Sequence, residues 1–436
     1  MRSVRHGMEM NVMIKRIAFR SAAGRMLAIA LLVVPLFACN TDRLLKVTSP
    51  GTLDAEKLNN PQQASLIVNG AVADFECALG SFIMVGGIVA DEFADSQLGA
   101  AGWPYDRRDA DTDPAGAYGT ASCAANQVPG LYTPISVARF TADDAVRRLE
   151  EWTDAQVPKR QQLIATASLY AGFSLTMLGM SMCSAAIDLG PEMTSNDLFT
   201  AAEARFTKAI DVGGPAGATS IVNAARVGRA RVRLFLNRKA EAAADAKLVP
   251  QGFKLVATAS DVNGRRQNRV YASNTRYGFY TIESLSRALT TGGVADPRTK
   301  VTQPGTRGAD GQLIWVQSKF NAFDAPIPVA RWEEAQLIIA EAEGGASAIA
   351  AINALRTKAS LPDLSDAEKA NMQQTIIEER RRELFVEGFR FYDIRRFNIA
   401  LNPVIGTPYP DKGGSYGTTR CFPIPNVERF NNPNLK

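Results

Sequence analysis

Acid–base and nucleophilic chemistry draw on a few side-chain types, and one of them is almost missing from the 436-residue chain, whose only histidine is His6. Beyond the first few dozen residues, no Ser-His-Asp, Cys-His or histidine-ligated metal mechanism can be assembled. Asp91 and Glu92 are adjacent carboxylates of the kind that cleave glycosidic bonds. Neighbouring side chains diverge on a helix or a strand, however, whereas a retaining or inverting pair must face each other across the bond. No catalytic residue, no cofactor and no metal site is expected from these residues.

The first 38 residues differ from the rest. They hold six basic residues (Arg2, Arg5, Lys15, Arg16, Arg20, Arg25) and one acid (Glu9) out of 49 Lys+Arg and 44 Asp+Glu, so residues 39–436 carry 43 of each. A neutral body excludes a basic nucleic-acid face, and no nucleic-acid partner is expected. Arg16, Arg20 and Arg25 precede the 13-residue apolar run Met26 to Ala38, which is short for a bilayer span and suits a secretory signal. The run ends in Leu36-Phe37-Ala38-Cys39, which resembles the bacterial lipobox, so residues 1–38 read as a lipoprotein signal peptide and Cys39 as the lipidation site. Residues 39–60 are polar, contain Pro50 and Gly51, and read as a tether. No later segment reads as apolar enough to cross a membrane, leaving the lipid as the anchor. Export also places Cys77, Cys123, Cys183 and Cys421 in an oxidising compartment, where an even set is expected to form two disulfides, buried free thiols being the alternative. Three pairings are open.

Helical periodicity dominates residues 141–249. Thr141, followed by Asp143 and Asp144, reads as a capped helix start. The apolar stretch Leu163 to Ile187 reads as a helix packed between others. Asn196 to Val212 places Ala202, Phe206 and Ala209 on one face, and Ser220 to Lys247 carries Gly228 and Ala240 in an Arg- and Ala-rich context. These small-residue positions resemble tetratricopeptide helix pairs. Residues 75–140 and 250–330 are rich in Gly, Pro, Asn, Asp and Thr and read as long irregular regions, a length that is uncommon unless functional or disordered. Helix is expected again over Val329 to Glu343, Ala346 to Lys358 and Asp366 to Asn398.

Residues 376–398 combine charge pairs, including Glu378 to Arg382 and Glu379 to Arg382, with an apolar seam at Leu384, Phe385 and Gly388. Arg–carboxylate pairing at this density reads as a structural lock, in which Arg390 serves stability. The string Glu379-Arg380-Arg381-Arg382-Glu383-Leu384-x-x-Glu387-Gly388-x-Arg390-x-x-Asp393-x-x-Arg396 resembles the C-terminal hallmark of the SusD/RagB family. Arg331 to Glu343, Ile352-Asn353-Ala354-Leu355-Arg356, Phe422-Pro423-Ile424-Pro425 and Asn432-Pro433-Asn434-Leu435 match further family motifs in order, as do Val68-Asn69-Gly70-Ala71 and the lipobox cysteine.

That resemblance implies a mainly α fold: a SusD-like α/α superhelix of tetratricopeptide-like helix pairs with long irregular loops, in a single domain over residues 61–436 whose family C-terminal region is about 329–436. It further implies a lipid-anchored protein on the outer membrane, facing the cell exterior. Such a protein captures glycans or another nutrient such as peptides for a SusC-like TonB-dependent transporter, and is not an enzyme. A tetratricopeptide-type scaffold without ligand capture is the alternative. A glycan site mixes aromatic planes, which pack on C–H faces of sugar rings, with polar partners for hydroxyls. Asp91 to Asp113, with Trp103, Tyr105, Arg107, Arg108 and Asp109, supplies such a mixture and is followed by Tyr118 and Tyr132. Asn268 to Trp315, with Tyr271, Asn274, Tyr277, Tyr280 and Trp315, supplies the other. The expected ligand-binding residues are Trp103, Tyr105, Arg107, Tyr277 and Trp315.

Overall fold

The first long helix, α1 (Ala64–Val89), follows a single 3₁₀ turn in which the Asn60 side chain accepts from the Gln62 N–H and Pro61 occupies the first position. These elements belong to a computed structural model that describes residues 59–97, 102–124, 128–410 and 412–435. The expected signal peptide, the expected lipidation site Cys39 and nearly all of the expected tether lie outside the described residues. From Phe75 to Val89, α1 is buried on every side. This corrects the reading of residues 75–89 as irregular, because Gly80, Gly86 and Gly87 sit inside a helix whose burial outweighs their low propensity.

Helix α2 (Tyr132–Glu151) likewise starts nine residues before the expected cap at Thr141. Tyr132, Ile135, Ala138, Ala142, Ala145 and Leu149 recur at helical spacing and are all buried, so the apolar stripe runs through Thr141. The Thr141 hydroxyl donates to the Val137 carbonyl at 3.0 Å, and Asp143 and Asp144 pair with Arg205 and Arg148.

Helix α3 (Arg160–Ser181) is buried at every position from Ala167 onward. Ser174, Thr176 and Ser181 donate to carbonyls four residues back, at 2.7–2.8 Å, which satisfies their hydroxyls inside the core. Next come α4 (Ser195–Gly213), opened by a Thr194–Asp197 capping box, α5 (Thr219–Phe235) and α6 (Lys239–Lys247). The expected continuous stretch Ser220 to Lys247 breaks at Asn237, whose φ is +60°. Phe206 on α4 wedges between α3 and α5: a Cβ at Gly172 or Gly228 would lie 2.7 or 2.5 Å from its ring. Small residues thus close the helix pairs, in the manner the tetratricopeptide likeness implies. By length and composition, Pro61–Val89 and Arg160–Ser181 could each cross a bilayer, contrary to expectation, but 78% and 89% of their most apolar windows are buried within the fold.

The last third holds α7 (Trp332–Glu343), α8 (Gly345–Lys358), α9 (Met372–Glu383) and α10 (Arg390–Arg396). The expected helix Asp366 to Asn398 is cut into three pieces. Its second break, at Leu384–Phe389, uses positive φ at Val386 (52°) and Gly388 (88°), where a Cβ on Gly388 would meet the Phe82 ring at 2.7 Å. The reversal returns Glu387 to Arg331 at 3.1 Å and lets Arg390 reach Asp91 at 2.6 Å. Of the two expected pairs on α9, Glu378 with Arg382 forms at 2.8 Å. Glu379 instead receives Arg298 and Arg356, each at 2.7 Å, because it points inward from α9 toward those distant chains.

The strands make five two-stranded antiparallel ladders among the described residues. Strand β1 (Phe93–Asp95) pairs with β3 (Tyr280–Ile282), Phe93 opposite Ile282 and Asp95 opposite Tyr280. Between them in sequence, β2 (Lys254–Ala257) pairs with β4 (Ile327–Arg331). Disulfides join Cys77 to Cys123 and Cys183 to Cys421, resolving the three open pairings. The second pins the end of α3 beside the C-terminal segment, where the Cys183 N–H donates to the Phe422 carbonyl at 2.8 Å.

Candidate functional site

The β1–β3 ladder brings together the two loop regions singled out by their composition. Between them lies a cleft of about 520 Å³, whose lining includes Asp95, Asp106, Glu283, Arg287, Asp310, Gln312 and Trp315. A third wall comes from Tyr409, Pro410, Lys412 and Tyr416.

Trp315 is set by its backbone. Its N–H donates to the Thr281 hydroxyl at 2.8 Å, and its carbonyl accepts from the Ile282 N–H at 2.9 Å and the Asn274 amide at 3.0 Å. Buried Asn274 also donates to the Tyr280 carbonyl and accepts from the Gln317 N–H, so it positions the Trp315 strand and is not available to a ligand. The Arg287 guanidinium lies 5.0 Å from the centre of the Trp315 ring, and its Nε donates to the Ile282 carbonyl.

On the C-terminal wall, Tyr409 and Tyr416 meet edge to face at 5.2 Å. The Tyr409 hydroxyl donates to Asp106, which also accepts from the Asp95 N–H, both at 2.8 Å. Burial nevertheless raises the Asp106 pKa to about 7, these two hydrogen bonds only partly opposing it. Burial also raises Asp95, although Lys412 reaches its carboxylate at 3.0 Å and Asp310 at 3.5 Å.

Of the five expected ligand-binding residues, Trp315 alone lines this cleft. Arg107 stands behind the C-terminal wall, paired with Asp109 at 2.7 Å and 6.0 Å from the Tyr409 ring centre. Trp103 opens the short helix Trp103–Asp106, is partly buried, and lies outside the cleft lining. Tyr277 is 42% exposed but stacks on Phe279 at 5.3 Å, away from the lining residues. Tyr105 corrects the expectation more sharply. It is 2% exposed, its hydroxyl donates to the Pro129 carbonyl and its ring packs edge-on to Phe422, so it is a core residue with its polar group already satisfied. Tyr118, Tyr132 and Tyr280 are buried as well.

Sequence reasoning missed Tyr409, Lys412 and Tyr416. The stretch Thr407-Pro-Tyr-Pro-Asp-Lys-Gly-Gly-Ser-Tyr416 has the same Tyr, Pro, Gly and Asp mixture used to select the other two regions, and that mixture was the available signal. Asp91 and Glu92 sit deeper. Asp91 holds Arg390 through both oxygens at 2.6 Å, and Glu92 accepts from the Val386 N–H at 2.8 Å while burial raises its pKa to about 7. They are not placed to face each other across a substrate. Among the described residues, no group of three or more His, Cys, Asp or Glu could hold a metal ion.

A stack of helix pairs carrying a loop-built, aromatic and polar cleft defines the class: a helical-repeat scaffold of mainly α architecture. Residues 315–436 match the model of the SusD family. No curated protein matches the sequence. Among solved structures, a SusD superfamily protein from Bacteroides vulgatus superposes with a TM-score of 0.64 at 16% identity, covering 86% of this chain and 98% of its own. A laminarin-binding SusD-like protein gives a TM-score of 0.62 at 17% identity over 86% and 98%. Surface glycan-binding protein A from Bacteroides uniformis gives 0.58 at 15% over 85% and 99%. Residues 315–436 are thus similar to the SusD family, and the chain as a whole shares the fold of these solved structures.

Proposed function

We propose that the protein captures a glycan in the Trp315 cleft and hands it to a SusC-like TonB-dependent transporter. It does so without chemical turnover, while held on the exterior of the outer membrane by a lipid on Cys39. The observation that carries the reading is the meeting of Trp315 with Arg287, Asp310 and Gln312 in one cleft of about 520 Å³. An aromatic plane beside hydrogen-bonding side chains matches the two surfaces of a sugar. The glycan-binding relatives support this choice of ligand. Three of the cleft's carboxylates have protein partners: Asp95 and Asp310 share Lys412, and Asp106 is engaged by Tyr409.

Calorimetric titration of the mature chain against a panel of plant, algal and host oligosaccharides tests capture. At least one saturating ligand is expected, with Trp315→Ala weakening it about tenfold or more while the fold persists. A panel with no ligand, or a folded Trp315→Ala with unchanged affinity, removes the reading, and a peptide that saturates instead redirects it. Anchoring has its own test. Cys39→Ala is expected to leave the membrane fraction; retention after a carbonate wash in cells lacking the transporter overturns the lipid anchor.

A further inference from the structure

Most buried arginines in this fold end on carboxylates, yet three arginines in or behind the cleft, half-buried Arg287, exposed Arg307 and buried Arg108, do not. Arg287 has only the Ile282 carbonyl on its Nε, and its two terminal nitrogens have no partner among the described residues. Arg307, exposed at the rim, donates to the Gly311 carbonyl. Behind the wall, Arg108 is 1% exposed and stacks 4.9 Å from the Tyr416 ring centre, with Nε and Nη1 unpartnered and only the Pro403 carbonyl on Nη2.

Of the acids around them, three are engaged elsewhere and Glu283 acts on Arg287 only through space. Asp95 and Asp310 converge on Lys412, and Asp106 accepts from Tyr409. Glu283 caps the Ser284 N–H at 2.7 Å and forms no ion pair within 4.0 Å with any cation among the described residues. Arg287 is thus a partly desolvated guanidinium, its plane fixed by Trp315 and Ile282 and its pKa lowered by burial, which the unpaired Glu283 charge offsets only in part. An anion is the partner that offsets such desolvation, and a carboxylate suits the planar two-nitrogen edge.

Resting on the glycan reading, we infer that the cleft selects an acidic saccharide, a sugar whose carboxylate is held by Arg287 beside Trp315, with Arg307 adding attraction at the rim. In this arrangement Arg287 determines specificity and Trp315 supplies the surface for the ring.

The test is calorimetry at fixed pH and ionic strength with oligogalacturonates and oligoglucuronates, each beside its carboxyl-reduced, neutral counterpart of equal length. An acidic member should bind at least about tenfold more tightly than its reduced partner, and Arg287→Gln should remove most of that difference while barely changing the neutral sugar. Arg287→Lys, which keeps the charge but not the fork, should fall between. If Arg287→Gln does not fold by its melting curve, Arg287→Lys and Arg307→Gln carry the test, each with a several-fold loss for the acidic sugar alone. Neutral sugars that bind as tightly as the acidic ones, or an unchanged acidic affinity in the folded variants, overturn the inference and leave glycan capture standing. An acidic panel that does not bind overturns it as well, and glycan capture itself falls only if the neutral panel also fails.

Discussion

The C-terminal charge network and the loop cleft use the same residue types in opposite ways. In the network, Arg331 holds Glu383 at 2.6 Å and Glu387 at 3.1 Å, Arg380 holds Asp393 at 3.0 Å, and Arg298 and Arg356 share Glu379. Each of those arginines is closed by protein carboxylates. At the cleft, Arg287 and Arg307 rest on backbone carbonyls and leave donors open. A charge satisfied inside the chain serves the fold, whereas one held in place with free donors serves something that arrives from outside. Exposure alone does not separate the two, since Arg108 is as buried as any network arginine and still meets no carboxylate, its Nε and Nη1 left without a partner.

The largest effect should come from opening the network. Arg390→Ala leaves Asp91, 2% exposed, as an uncompensated buried charge, and a loss of about 3–5 kcal/mol in urea denaturation is expected. An unchanged melting curve combined with lost ligand binding would move Arg390 from the network to the site. Next is the Cys183–Cys421 bridge, which closes a sequence separation of 238 residues. Replacing both by serine should cost about 2–5 kcal/mol, and because the bridge lies by Phe422 it should leave sugar affinity unchanged in protein that remains folded. A matching loss of affinity would mean that the C-terminal wall depends on this bridge.

The two regions also differ in how far they could be read from the chain. Dense Arg and Glu at helical spacing announced the network, and Glu378 with Arg382 is a local pair of the expected kind. Glu379 defeated local reasoning because its partners, Arg298 and Arg356, are far away in sequence and only the tertiary fold brings them in. The helix pairs at 141–249 were legible from periodicity, but their boundaries were not. Thr141 is a plausible cap by type, and the apolar stripe beginning at Tyr132 overrides it. For α1, glycines read as loop residues were outweighed by burial on all sides. At the cleft, composition found the two regions that β1 and β3 join, and Trp315 within them. It could not tell an aromatic that faces a ligand from one, such as Tyr105, whose hydroxyl finds a carbonyl inside. That distinction depends on where a side chain points, which irregular backbone does not encode with a period.

A smaller, graded effect should separate the cleft from the network by pH. Asp106 is raised by burial to about 7 from its ordinary value of 3.8, so the folded state holds its proton more tightly than the unfolded chain does. Its contribution to stability is therefore full below pH 3.8 and is lost as pH rises toward 7, at about 1.4 kcal/mol per pH unit. Network acids run the other way: Arg331 and Arg298 overcome the burial of Glu383 and lower its pKa, so its contribution is present at neutral pH and lost on acidification. Urea denaturation at pH 5 and pH 7 should show Asp106→Asn losing less stability over that interval than the parent chain. Equal losses would place Asp106 in an environment no drier than the surface.

The smallest stability effect belongs to Arg307→Ala. Its side chain is exposed and its one recorded bond, to the Gly311 carbonyl at 2.7 Å, lies within its own turn. Surface substitutions of that kind change stability by within about 0.5 kcal/mol. The same substitution removes one of the open donors at the cleft mouth, so for an acidic sugar it should slow association and flatten the dependence of affinity on salt, leaving the neutral counterpart unaffected. Arg390→Ala should do the reverse, destabilising the fold with no change in salt dependence for the fraction that stays folded. A stability loss from Arg307→Ala as large as that from a network arginine would erase the distinction between closed and open charges from which both regions have been interpreted.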